Sequence, residues 1–194
     1  VFIGDVSGHG IPASLVSIVI TREFDYHSRK YVSPALTLES LNNKVYKKLA
    51  GQFVTFFYCI IQKDSIVFAN AGHPSPILLN SSSGEIQYLK GKGRPIGITN
   101  KNTIEELEVR FQPQDRLFLY TDGLIEAGEE NSYGIKRLRE FLTEHKNLPN
   151  KELRDNLIKS VYNHIKRDRF YDDLTILILD NRSEEHTSEL QSQR

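Results

Sequence analysis

Val1-Phe2-Ile3-Gly4-Asp5-Val6-Ser7-Gly8-His9-Gly10-Ile11-Pro12-Ala13-Ser14-Leu15 is the stretch that decides the reading of this chain. Val1 to Ile3 read as the end of a strand, and Asp5 stands where that strand finishes. Gly8 and Gly10 let the backbone turn sharply at little steric cost. Pro12 then sits in the first turn of a helical pattern, the position that proline tolerates best. A carboxylate at a strand-to-helix turn is held by rigid elements on both sides, which suits a metal ligand. Taken alone, Asp5 reads equally as a turn residue. The Gly-x-G pair is no phosphate loop by itself, because no Gly-Lys-Ser/Thr follows it.

Working outward, Ile11 to about Tyr31 has helical spacing. Its apolar first half is expected to lie deep, and its polar second half (Arg22, Glu23, Asp25, Lys30) to reach solvent. Ser33-Pro34 signals a second helix, with Leu38, Leu41, Val45 and Leu49 on one face and Gly51 as its stop. The period then changes. Strands are expected at Phe53 to Ile61 and Ile66 to Ala71, and a hairpin at Ile77–Leu79 and Glu85–Leu89 around Asn80 to Gly84. Gly91 to Gly97 is a glycine-rich connection. Further strands fall at Glu105–Phe111 and Arg116–Tyr120. Two helices follow, marked by Ile135, Leu138, Phe141 and Leu142 and by Leu153, Leu157, Ile158, Val161 and Ile165. A last strand runs from Leu174 to Leu179. Strands grouped between helices give an α+β class. The runs at 116–120 and 174–179 are apolar at consecutive positions, which predicts strands buried on both faces. Two packed sheets with helices outside them satisfy that pattern.

The bulk composition narrows the function classes. The chain has 194 residues, 39% apolar, with 25 basic and 25 acidic side chains. That is enough for one domain with a sizeable core, and no interdomain linker is visible. Its balanced, dispersed charge gives no footprint for nucleic acid or a membrane surface. No apolar run is long enough to span a bilayer. The one cysteine, Cys59, lies in a strand-like apolar run, which predicts a buried thiol in a reducing, cytoplasmic compartment. With no methionine and an opening in mid-strand, residues 1–181 are expected to be a domain that lacks its first strand. Residues 182–194, with one aliphatic residue and no period, read as a non-native or disordered tail resembling translated adapter sequence.

Three aspartates share one topological address. Asp5 ends a strand, Asp122 follows a strand and precedes Gly123, and Asp172 directly precedes a strand. Asp-Gly and Asp-Asp are ordinary turn pairs. Antiparallel pairing, however, brings one strand's end beside its neighbour's start. Clustered carboxylates repel one another unless a cation neutralises them. Oxygen ligands without His or Cys at metal spacing favour Mg²⁺ or Mn²⁺ over zinc. Two such ions roughly 3.5–4 Å apart polarise a phosphoryl group and turn water into a nucleophile.

Five ordered motifs carry a resemblance. They are Gly4-Asp5-Val6-Ser7-Gly8-His9-Gly10, Asn70-Ala71-Gly72-His73-Pro74, Arg94-Pro95-Ile96-Gly97, Tyr120-Thr121-Asp122-Gly123-Leu124-Ile125-Glu126-Ala127 and Tyr171-Asp172-Asp173-Leu174-Thr175. Together, from Val1 to about Asp180, they resemble the bacterial PP2C-like serine/threonine phosphatases of the sporulation stage II E and sigma-factor-regulator type. The resemblance implies an antiparallel β-sandwich flanked by helical layers, and a phosphoprotein phosphatase using two Mn²⁺ or Mg²⁺ ions and a bridging water. It places the bridging carboxylate on Asp5, a carbonyl ligand on Val6, and further metal carboxylates on Asp122 and Asp172. The choice between Asp172 and its neighbour Asp173 stays open at this point. His9 follows Asp5 by four residues, where eukaryotic relatives place a general-acid histidine two residues on. That role does not transfer, and a turn-stabilising histidine is the competing reading. His73 reads as structural. Gly93 to Gly97 matches a loop implicated in the family's switching, with Ile96 in place of leucine.

The resemblance further implies a phosphoserine substrate on an anti-sigma-factor antagonist, and an N-terminal sensory or receiver region beyond this fragment. It also implies an upstream Gly-Gly-Asp-x-x-Asp strand, without which weaker metal binding, slow hydrolysis and self-association are expected. Two other readings stand beside it: a catalytically silent module of the same fold, and a metal-dependent hydrolase of another phosphate ester.

Overall fold

The computed structural model describes residues 1–128, 131–165 and 172–181, so the 182–194 tail and Tyr171 lie outside the described residues. In chain order the elements are β1 (Phe2–Val6), α1 (Gly10–Lys30), α2 (Pro34–Val45), β2 (Val54–Ile61), β3 (Ser65–Ala71), β4 (Ile77–Asn80) and β5 (Ile86–Tyr88). They continue with β6 (Glu106–Arg110), β7 (Asp115–Tyr120), α3 (Asp122–Ile125), α4 (Gly134–Glu144), α5 (Asn150–Ile165) and β8 (Ile176–Asp180). The chain folds as two compact units. One comprises residues 1–75 and 90–110, the other residues 76–89 and those from Phe111 onward.

The first unit holds an antiparallel sheet in the order β1-β2-β3-β6, and α1 and α2 lie on one of its faces. Gly8 (φ +88°) and Gly10 (φ +76°) make the turn from β1 into α1 in the left-handed region, as the sequence requires. Val16, Ile20 and Phe24 of α1 and Leu38, Leu41 and Val45 of α2 bury themselves against Val54, Phe56 and Tyr58 of β2. Phe24 packs 5.0 Å from both the Phe56 and Tyr58 rings. Ser33 caps α2 by accepting a hydrogen bond from the Leu36 N–H at 3.1 Å.

Two expectations for these helices are corrected. The first half of α1 does not lie deep: Ile11 is 78% exposed and Ile18 66%, and Leu15 and Val19 are exposed with them. A single stripe at Val16, Ile20, Phe24 and His27 is buried instead, and it runs through both halves. The apolar count of the first half misled because only the 3.6-residue stripe meets the sheet. Helix α2 ends at Val45, before Leu49 and Gly51. Leu49 is still buried, in a turn where Lys47 and Ala50 adopt positive φ.

The second unit holds an antiparallel sheet in the order β5-β4-β7-β8. Its core joins Ile77, Leu79 and Phe118 to Leu138, Phe141 and Leu142 of α4 and Leu153, Leu157 and Val161 of α5. Every residue of β7 is buried: Leu117–Tyr120 as their apolar run predicts, and Asp115 and Arg116 with their charges paired or hydrogen-bonded. Strand β8 differs. All five of its residues are only half-buried, because it is an edge of this sheet rather than a central strand. Among the described residues no helix is long and apolar enough to cross a membrane.

Candidate metal centre

In the second unit, β7 and β8 pair antiparallel with Tyr120 opposite Ile176. That register brings the segment just after β7 beside the segment just before β8. Asp122 follows Tyr120 by two residues and Asp172 precedes Ile176 by four. One carboxylate oxygen of each lies within 4.8 Å of the other. Asp122 opens the short helix α3, which the sequence did not reveal: the Glu126 N–H donates to the Asp122 carbonyl at 2.8 Å. Backbone groups hold both side chains. The Gly123 N–H donates to Asp122 Oδ1 at 3.1 Å, and the Asp173 N–H to Asp172 Oδ1 at 2.8 Å.

Gly123 makes the approach of the two segments possible. A Cβ at this position would lie 2.5 Å from the Asp173 carbonyl oxygen. Thr121, absent from the sequence-based candidates, ties the segments together. Its buried hydroxyl donates to the Asp173 carbonyl at 3.1 Å and accepts from the Thr175 N–H at 3.0 Å. Asp173 thus supplies its backbone to this tie, and it is Asp172 whose carboxylate converges on Asp122. A hard, all-oxygen donor pair of this kind fits Mg²⁺ or Mn²⁺ and does not fit a soft-metal site.

In the first unit, Asp5 and Val6 close β1. Asp5 stands opposite Thr55 and Val6 opposite Val54. The Ser7 N–H donates to the Phe53 carbonyl at 2.9 Å, and the Gln52 side chain donates to the Ser7 carbonyl at 2.9 Å, pinning the turn that follows. His9 occupies the exposed N-cap of α1, and its side chain makes no capping hydrogen bond. His73 is buried within hydrogen-bonding distance of Thr55. Asn42 of α2 grips the Gly93–Gly97 loop, accepting from the Gly97 N–H at 2.9 Å, while Asn102 brackets Arg94 through both its N–H and its carbonyl. Cys59 is fully buried, and burial pushes its thiol up to about 11, so it supplies no thiolate.

Two antiparallel sheets with helices define an α+β fold of the PP2C class. The structure matches the SiaA-PP2C domain of Pseudomonas aeruginosa with a TM-score of 0.78 and 24% identity, over 93% of this chain and 74% of that one. It also matches the PP2C phosphatase domain and regulatory fragment of the Bacillus subtilis cell fate determinant SpoIIE, with a TM-score of 0.75 and 17% identity over 93% and 53% of the two chains. The chain belongs to the stage II sporulation protein E (SpoIIE) family, whose profile matches residues 1–182. It is 27% identical over 182 residues to the phosphoserine phosphatase RsbU of Bacillus subtilis, covering 91% of this chain and 54% of that protein. The chain spans about half the length of the curated relatives it matches.

Proposed function

We propose that the chain is a metal-dependent phosphoprotein serine/threonine phosphatase in which Asp5, the Val6 carbonyl, Asp122 and Asp172 hold two Mn²⁺ or Mg²⁺ ions. The convergence of Asp122 and Asp172 on one point, braced by Thr121 and admitted by Gly123, carries this reading. Asp5 and Val6 join it through their place in the family's first motif. When bound, such a pair of ions polarises a phosphoryl oxygen and makes water acidic enough to attack phosphorus. The residues of the chain fix the carboxylates, and no side chain forms a covalent phosphoenzyme. The buried, neutral Cys59 supports the absence of a thiolate nucleophile.

The similarity to RsbU supports a phosphoserine substrate, which we assign to an anti-sigma-factor antagonist of a bacterial partner-switching pathway, with a regulatory region attached to the phosphatase domain. Release of inorganic phosphate from a panel of serine-phosphorylated antagonists tests the assignment, and activity confined to unrelated phosphoproteins would refute the substrate. The mechanism is tested by chelation and by Asp122→Asn. Each is expected to abolish turnover, a larger loss than the 10–100-fold typical of residues that only orient a ligand. Undiminished turnover in EDTA would sink it.

A further inference from the structure

Asp5 has a support of its own, drawn from β1, β2 and the turn that follows β3. The side chains of β2 alternate: Val54, Phe56 and Tyr58 enter the helix-covered core, so Thr55 projects from the opposite face. In β1, Val6 packs on that same core, which puts Asp5 on the face shared with Thr55. The two stand directly opposite in register. Side chains paired in this way have Cβ atoms about 4.5–5.5 Å apart. On its other side, Thr55 Oγ1 lies 2.9 Å from Nδ1 of His73, whose residue is only 5% exposed.

His73 is placed with unusual care. The Asn70 side chain brackets its backbone, accepting from the His73 N–H at 2.8 Å and donating to the His73 carbonyl at 2.9 Å. Gly72 before it takes φ +74°, and a Cβ there would meet Pro95 Cγ at 2.6 Å. The Asn-Ala-Gly-His turn thus requires a glycine in the left-handed region, and it presents the imidazole to the Thr55 hydroxyl. A threonine hydroxyl has one proton to give and can accept at its lone pairs. If His73 Nδ1–H donates to it, that proton is free for a carboxylate.

We propose that Thr55 and His73 are positioning residues for Asp5, with the order His73 Nδ1–H to Thr55 Oγ1 and Thr55 O–H to the Asp5 carboxylate. The row fixes the carboxylate's orientation toward a divalent cation. This inference rests on the metal-phosphatase reading above.

The test is Mn²⁺ binding by calorimetry and Mn²⁺ activation of phosphoserine hydrolysis, measured on the full chain. Thr55→Val keeps the side chain's shape and removes its hydroxyl. It is expected to weaken Mn²⁺ binding and activation by about 10-fold or more, the range for partners that orient a metal ligand. The KM for phosphoprotein and the melting temperature without metal should stay near wild type. Thr55→Ser is expected to restore affinity to within about threefold of wild type, since it returns the hydroxyl. His73→Leu, an independent variant, is expected to lose affinity to the same order. Wild-type Mn²⁺ affinity in a folded Thr55→Val or His73→Leu protein overturns the proposal and leaves the phosphatase reading intact. Absence of Mn²⁺ binding by the wild type overturns both.

Discussion

The two acidic corners of this chain are supported by opposite means. In the second unit, support for Asp122 and Asp172 comes mainly from backbone: neighbouring N–H groups fix their side chains, a side-chain-free Gly123 admits the Asp173 carbonyl, and one hydroxyl, of Thr121, ties the segments. In the first, Asp5 lies within a paired strand, and the devices near it are side chains: Thr55 on the neighbouring strand, His73 in the turn after β3, and Asn70, which fixes the His73 backbone. Backbone support tolerates no added volume. Side-chain support can yield by repacking, so the two corners should break differently.

The largest difference is expected between two matched substitutions. Gly123→Ala drives a methyl to 2.5 Å from a carbonyl oxygen that cannot rotate away. It should cost about 1–3 kcal/mol of stability, the range for overpacking, and separate Asp122 from Asp172, so that Mn²⁺ activation falls with it. Gly4→Ala, in β1, meets the Phe56 ring at 2.9 Å and the Thr55 carbonyl at 3.0 Å. Both approaches are looser than the 2.5 Å at Gly123, and the loss should fall at the low end of the same range, about 1 kcal/mol. Thermal melts with and without Mn²⁺ rank the pair, and a costlier Gly4→Ala would reverse the distinction.

The smallest effect sharpens the first unit alone. His27 is buried where α1 meets α2, with neither ring nitrogen hydrogen-bonded and Glu23 Oε2 4.0 Å from Nε2. Burial holds its pKa below the ordinary 6.5; Glu23 opposes this, and Lys30 and Lys44 add to it. The unfolded chain therefore protonates first. Stability present above about pH 6.5 should decline as the pH falls through that value and below it, until the folded protein also takes up the proton. His27→Gln should flatten melting temperature against pH over this window, and parallel curves for the two proteins would show that His27 contributes nothing to it.

The same contrast explains what the sequence made legible. Backbone support leaves a mark in the residues themselves, because Asp122-Gly123 and Asp172-Asp173 sit at strand ends where chemistry and turn geometry coincide. Antiparallel pairing of β7 and β8 then brings them together, as reasoned from the strand pattern. Thr55 left no such mark, since a threonine inside Phe53–Ile61 is what any strand contains, and its meaning lies in register with Asp5 and reach to His73. Nor did composition reveal the solvent-facing Ile11, Leu15 and Ile18 of α1, because the hydrophobicity of a residue says nothing about which side of a helix is covered. The half-buried β8 failed for a related reason: an apolar run does not distinguish a central strand from an edge.

The path of the chain between its two units also sets the order in which a growing polypeptide can complete them. Hairpin β4–β5 is made before β6, the strand that finishes the first sheet, yet it belongs to the second and must wait for β7. Asp5 leaves the ribosome among the first residues of this stretch, whereas Asp172 is among the last of those described, more than 160 residues later. A domain that folds as it is synthesised therefore lacks the Asp122–Asp172 pair until β8 has docked on β7. The meeting of Asp122 and Asp172 is deferred until β8 has been made, so a chain interrupted before that strand has an unfinished acidic corner.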